Sequence, residues 1–278
     1  LQPIEQYVDA VNTAASLLRE RFGSIPETAI ILGTGLDALA SSIMVEDQVE
    51  YTSIPGFPEL TVKSHQGNII KGTLAGASVL ALNGRAHLYE GYSAREVTFP
   101  IRVLGVLGIK NLIISNACGG MNPSFAAGDI MLIEDHINLM GSNPLEGPNH
   151  DNWGPRFPDM SDPYDKALRH MAREAASDEG ITIHEGVYVS VVGPNLETRA
   201  EYRMLGRMGA DVVGMSTVPE VLVARHMGIG VMAFSVITDE CDPDNLAPIS
   251  IEDVLAAAAR ASDPLGRLIQ RIVPRLQG

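Results

Sequence analysis

Apolar residues recur along this chain in two rhythms, and the rhythms alternate. Residues 3–22 carry them at helical spacing, which predicts an amphipathic helix. The run AIIL (29–32) stops at Gly-Thr-Gly and reads as a buried strand and a turn. NIIKGTL (68–74) and SVLALN (78–83) alternate well enough for a hairpin around Ala75-Gly76. Ser93 and Glu96 have capping-box spacing, and a helical pattern follows to Gly108. NLIISN (111–116) reads as a strand closed by the turn ACGG, and IMLIEDHIN (130–138) as a further strand. Residues 141–162 are rich in Gly, Pro and Asn and predict a long loop, a place where function often sits. A helix over 163–179, a strand over 185–192 and a helix over 197–208 follow, and then the short apolar DVVGM (211–215). Thr217 and Glu220 repeat the capping-box spacing, with Pro219 early in the helix, where proline is tolerated. VMAFSVIT (231–238) is the longest apolar strand. Ser250 and Asp253 open a C-terminal helix that Pro264 is expected to break in two.

Strands alternating with helices predict an α/β fold, a mixed and largely parallel sheet covered by helices. No repeat, low-complexity tract or linker divides the sequence, so residues 1–278 are read as a single domain. The mean hydropathy is +0.09, yet no apolar run approaches the ~20 residues of a membrane span. No signal-peptide pattern opens the sequence given. The net charge of −14 argues against nucleic acid as a partner, because duplex binding rests on Lys and Arg contacts to phosphate. Small anions remain compatible with it where Arg and His cluster. Cys118 and Cys241 lie far apart, which is neither a disulfide framework nor a zinc pattern. A reducing cytoplasm is the expected compartment.

Most short motifs fail. GTGLDA (33–38) is a weak dinucleotide fingerprint with Ala38 at the third glycine, and no Walker or HExxH motif occurs. GMSTV (214–218) is a nucleophile elbow broken by Val218. Cys118 suits a small packed residue better than a nucleophile. The acids Asp239, Glu240, Asp242 and Asp244 lack the glycine of a calcium loop and a histidine close by, so no metal is expected. His136, His170 and His226 read as structural or solvated.

NGRAHLYEGY (83–92) is more informative. Arg85, His87 and Tyr89 are spaced by two, so an extended segment would carry all three on one face. A polar edge strand fits that pattern equally well. The neighbours shift the balance: His65 in a loop, Thr34 between glycines, the backbone N–H groups of Asn116–Gly120, and Ser216 at a helix start that favours anions. Together they predict a phosphate site at strand ends.

The ordered series ILGTGL, SHQG, NGRAHLYEGY, ISNACGGMNP, RFPDMSDPYD, GPNLETRAEYR and GADVVGMSTVPEVLVARHMGI resembles the trimeric-type purine nucleoside phosphorylases, over nearly the whole chain. The resemblance implies reversible phosphorolysis of purine (2′-deoxy)ribonucleosides to free base and (deoxy)ribose 1-phosphate. Inorganic phosphate is the co-substrate, with no metal or other cofactor. It implies a homotrimer that binds nucleoside and phosphate, not nucleic acid or membrane. By the same resemblance Thr34, His65, Arg85, His87, Ala117 (through its N–H) and Ser216 hold phosphate. Tyr89, Met215, Ile251 and a neighbouring subunit's Phe157 line the ribose. Leu196, Glu197, Val213 and Asp239 meet the purine, and His87, Glu197 and Asp239 carry the catalytic roles.

Three positions depart from the family pattern. Asp239 stands where the 6-oxopurine enzymes carry Asn; an ionised carboxylate only accepts, which suits a 6-amino group. Leu196 replaces an aromatic, and Ile251 falls where a histidine for the 5′-hydroxyl is usual. A phosphorylase preferring 6-aminopurines, such as methylthioadenosine, is therefore the first alternative. A nucleoside sensor without turnover and a hydrolase using water are two others.

Overall fold

The structure is a computed structural model that describes residues 3–33, 37–62, 66–248 and 250–277. An N-terminal helix, α1 (Ile4–Phe22), leads into β1 (Thr28–Leu32), α2 (Asp37–Ser42) and the edge strand β2 (Met44–Glu50). The hairpin forms as expected from β3 (Asn68–Leu74) and β4 (Ala77–Asn83). Both of its turn residues, Ala75 and Gly76, have positive φ, the conformation that matches strand twist. Helices α3 (Ala94–Val97) and α4 (Phe99–Leu107) precede β5 (Asn111–Gly120) and β6 (Ile130–Asn138). After the long loop come α5 (Lys166–Glu179), β7 (His184–Ser190), α6 (Arg199–Arg207), β8 (Val212–Gly214), α7 (Val218–His226), β9 (Gly230–Glu240) and α8 (Ile251–Ile272).

The strands lie in the order β2-β3-β4-β1-β5-β8-β7-β6-β9, and β9 also pairs with β5. The second half of the sheet thus closes on itself as a small barrel, while β2, β3, β4 and β1 extend from it as an open wing. Neighbouring residues on β1 face opposite layers: Ile31 packs with α1, α4 and α7, and Ile30 with α2, α5 and α8. No described helix is long and apolar enough to cross a membrane.

Four expectations need correction. ACGG is not a turn: β5 runs on through Gly120, because Ala117, Cys118, Gly119 and Gly120 pair with β9. Two of those residues are glycines, and side-chain pattern alone cannot separate a strand from a turn there. Glu197 does not open a helix; Thr198 is the N-cap of α6 and forms a capping box with Glu201. Thr217 and Glu220 form no capping box, for a reason that belongs to the site. Pro264 lies inside an unbroken α8. The proline deprives the Arg260 carbonyl of a donor on an exposed turn, while Ala261, Leu265, Leu268 and Ile269 are fully buried and hold both halves against the sheet. The polar strand β2 and the short α2 were not anticipated; β2 is largely exposed and has no apolar alternation.

Candidate active site

A cavity of about 380 Å³ opens where β1, β4, β5, β8 and β9 end. Strand ends are where α/β sheets present backbone groups and loops to ligands. β5 outruns β1, whose last partner on it is Ile114, so Asn116–Gly119 are left to line the cavity. Close approach demands glycine here: a Cβ on Gly33 would strike the Ser115 backbone, and one on Gly119 would sit 2.5 Å from Cys241 Sγ.

One end of the cavity is basic. Arg85 follows β4 and is only 6% exposed. Its Nη1 donates to Glu220 at 2.9 Å and to Thr217 Oγ1 at 3.3 Å, and its Nη2 donates to the Ser115 carbonyl. This pairing explains the missing cap. A buried guanidinium requires a counter-charge, and Glu220 supplies it while still accepting from the Thr217 backbone N–H; the missing half of the cap is the Thr217 hydroxyl, which accepts from Arg85 and Asn116 instead. Burial pushes the Glu220 carboxyl up, and the Arg85 charge opposes that shift. Thr217 has φ 68° and ψ −56°, rare for a β-branched residue, and Val218 N–H donates back to the Ser216 carbonyl at 2.7 Å. The result is a strained γ-turn. It aims the Thr217 hydroxyl at Asn116 Nδ2, 2.9 Å away, and leaves Ser216 on the cavity wall.

His87 is fixed by a residue that sequence reasoning missed. Glu90 accepts from His87 N at 2.7 Å, from Thr61 N at 2.8 Å and from Thr61 Oγ1 at 2.6 Å, and its Oε1 lies 3.0 Å from His87 Nδ1. Burial alone would raise its pKa, but these donors hold the carboxyl at about 2. An ionised Glu90 only accepts, so Nδ1 of His87 carries a proton. The signal was present as a His-x-x-Glu spacing inside GRAHLYEGY. Tyr89 stacks on the His87 ring with centroids 4.7 Å apart.

The opposite end is acidic and more open. Asp239 lies near the end of β9, and both of its oxygens accept hydrogen bonds. Thr238 Oγ1 donates to Oδ1 at 2.8 Å and the Cys241 thiol to Oδ2 at 3.0 Å. Glu197 is half-buried; burial raises its carboxyl above the ordinary value, against the hydrogen bond donated by Tyr202. Leu196 is 55% exposed at the rim. The other acids separate from Asp239: Asp242 accepts from the loop at Asp244 and Asn245, and Asp244 pairs with Arg203.

Arg85, His87, Tyr89, Ala117, Leu196, Glu197, Val213, Met215, Ser216 and Asp239 all line this one cavity. Tyr202 and Val254 join them and were not anticipated. Cys118 is buried, and burial pushes its thiol up, as a packed residue rather than a nucleophile. Phe157 does not line the cavity; it is 88% exposed on the long loop. Thr34 and His65 lie outside the described residues, as does the side chain of Ile251.

The profile of the phosphorylase superfamily matches residues 27–274. Purine nucleoside phosphorylase 1 of Geobacillus stearothermophilus is 47% identical over 95% of this chain and 96% of its own. A Schistosoma purine nucleoside phosphorylase solved in complex with hypoxanthine superposes with a TM-score of 0.90 at 42% identity, over 98% of both chains. The Schistosoma mansoni enzyme solved in complex with adenosine gives the same TM-score, identity and coverage. With a basic and an acidic end facing each other across one cleft, and with this likeness along nearly its whole length, the chain belongs to the phosphorylase superfamily and, within it, to the purine nucleoside phosphorylases.

Proposed function

We propose that phosphate sits at the Arg85 end, the ribose against Tyr89 and Met215, and the purine between Val213, Glu197 and Asp239. Arg85, His87, Ser216 and the Ala117 N–H form the described part of the anion cradle. Thr34 and His65 are assigned to the same cradle on their sequence motifs. Attack of a phosphate oxygen on C1′ forms the sugar phosphate as the C1′–N9 bond breaks. The bond electrons pass to the purine, which leaves after taking up a proton. The transition state has oxocarbenium character, so an anion held beneath the sugar stabilises it. Preorganised charge of this kind contributes a factor of ~10²–10³ per key donor.

We further propose that Asp239 favours 6-aminopurine nucleosides. The observation that carries this is the Cys241 thiol, which donates to Asp239 Oδ2 at 3.0 Å and suits a carboxylate in its accepting form; the Thr238 hydroxyl is shared between Asp239 Oδ1 and the Cys118 carbonyl. Such a group accepts from a 6-amino N–H and opposes a 6-oxo oxygen. Glu197 meets the N1 edge of the base, where its carboxyl accepts from an N1–H when ionised and donates to an N1 lone pair when protonated. Inosine, guanosine, adenosine and methylthioadenosine compared with phosphate decide it. Inosine and guanosine cleaved far faster than the amino substrates would sink the preference and leave the 6-oxo reading. We assign the enzyme to a cytoplasmic homotrimer in which the exposed Phe157 reaches a neighbour's ribose. Light scattering gives the mass, and Phe157→Ala is expected to raise the nucleoside KM about tenfold.

A further inference from the structure

A second, smaller cavity lies beside the start of α1, under α3, α4 and the long loop before α5. Its volume is about 20 Å³, room for one water-sized species. Its polar walls are Tyr7, Arg95, Arg102, Asn149, His150 and His226. Arg102 is 5% exposed, with its guanidinium carbon 4.8 Å from the centre of the Trp153 ring. Among the described residues its one hydrogen bond is from Nη1 to His226 Nδ1, at 2.8 Å. Arginine has donors only, so Nδ1 accepts and the imidazole proton lies on Nε2, facing Asn149 Oδ1 at 3.1 Å. The ring is therefore neutral and offers the guanidinium no counter-charge. Arg95 donates from Nη2 to the Glu146 carbonyl at 2.7 Å, while its Nη1 is buried with no partner. The Tyr7 phenol donates to the Arg95 carbonyl at 3.1 Å. Glu96, the acid whose charge reaches Tyr7, accepts from Ser93 N and Oγ instead.

The contrast with the rest of the chain is marked. Acids outnumber bases by 14. Arg21, Arg85, Arg173, Arg203 and Arg275 each have a carboxylate within 2.9 Å. Arg102 and the half-buried Arg95, whose guanidinium lies 5.6 Å from the centre of the Tyr7 ring, line one small cavity with none. Uncompensated buried charge is strongly destabilising, and the fold supplies a cavity where the compensation fits.

We infer that this cavity binds one chloride-sized inorganic anion between Arg102 and Arg95. The bound anion ties α1 and α4 to the loop that carries Phe157, and its effect falls on stability. Two measurements on the full chain test it, both with inorganic phosphate held constant and saturating so that the main cleft is filled. Crystals soaked in sodium bromide should show one anomalous peak between the two guanidinium groups. The melting midpoint should rise about 3 °C for each tenfold increase in chloride, at fixed ionic strength made up with sodium gluconate. Arg95→Gln should flatten that rise while leaving phosphorolysis intact, and Arg102→Met should abolish it. A water in the cavity of bromide-soaked crystals, or a midpoint indifferent to chloride, overturns the inference. So does bromide bound only at crystal concentration, or an Arg95→Gln variant with the full wild-type rise.

Discussion

The two ends of the main cleft are built differently. At the Arg85 end every described charged group is tied to another: Arg85 to Glu220, Thr217 and Ser115, and His87 to Glu90. Arg85 and His87 follow β4, Ser115 lies on β5 and Glu220 on the first turn of α7, and a strained turn holds Thr217 in place. At the purine end, Glu197 stands in a loop before α6 and Asp239 on the last residues of β9. Leu196 beside them is 55% exposed. On the proposed assignment, the first arrangement serves a substrate that never varies, inorganic phosphate. The second leaves room for the base to differ, and one carboxylate there changes the choice without disturbing the sheet.

The sharpest way to break this contrast is Arg85→Met. The change removes an anion donor and leaves Glu220 buried without its partner. Phosphorolysis should fall by at least ~10³-fold in kcat/KM, and urea unfolding should show a loss of about 3–5 kcal/mol. A variant with normal stability would show that the pair is not what anchors this end.

Glu197→Gln should behave in the opposite way, with kcat/KM lower by ~10²-fold and an unchanged unfolding midpoint. Its pH dependence separates the two base classes. The Glu197 carboxyl titrates above its ordinary 4.5 because burial disfavours the charge. Below that raised pKa it is a donor, and above it an acceptor. With inosine, whose N1 carries a proton, kcat/KM should rise as pH climbs through it. With adenosine, whose N1 is a lone pair, kcat/KM should fall over the same range. Profiles that move together would remove Glu197 from the base-recognition step.

Much of this site was legible in the sequence. Arg85, His87 and Tyr89 do share one cavity, but not by the alternation that GRAHLYEGY suggests: Leu88–Glu90 is a 3-10 helix rather than extended chain, and Tyr89 lies at the cleft stacked on His87. Less legible was anything decided by a distant partner. Thr217 and Glu220 have good capping spacing, but Arg85, 135 residues before the glutamate in sequence, pairs with it and, with Asn116, takes the threonine hydroxyl that would have closed the box. Asn116–Gly120 resemble a turn because glycine carries no side-chain pattern, yet β9 pairs them as strand. Pro264 breaks a helix only when packing on its far side is too weak to resist, and here it is not.

Asp239→Asn should shift the ratio of 6-amino to 6-oxo turnover about tenfold toward 6-oxo, since an amide can donate to O6 and a carboxylate cannot. The smallest expected effect is the most specific. Cys241 is 1% exposed and donates to Asp239 Oδ2. Cys241→Val keeps the packing volume nearly constant and deletes that donor together with the hydrogen bond between the thiol and the Tyr202 hydroxyl. The melting midpoint should stay within about 2 °C. Asp239 would then be held by Thr238 alone and free to rotate, and the 6-amino preference should weaken by about threefold. Cys241→Ser, which restores a donor, should recover the wild-type ratio. If valine and serine give the same ratio, the thiol is packing and Thr238 orients the carboxylate by itself.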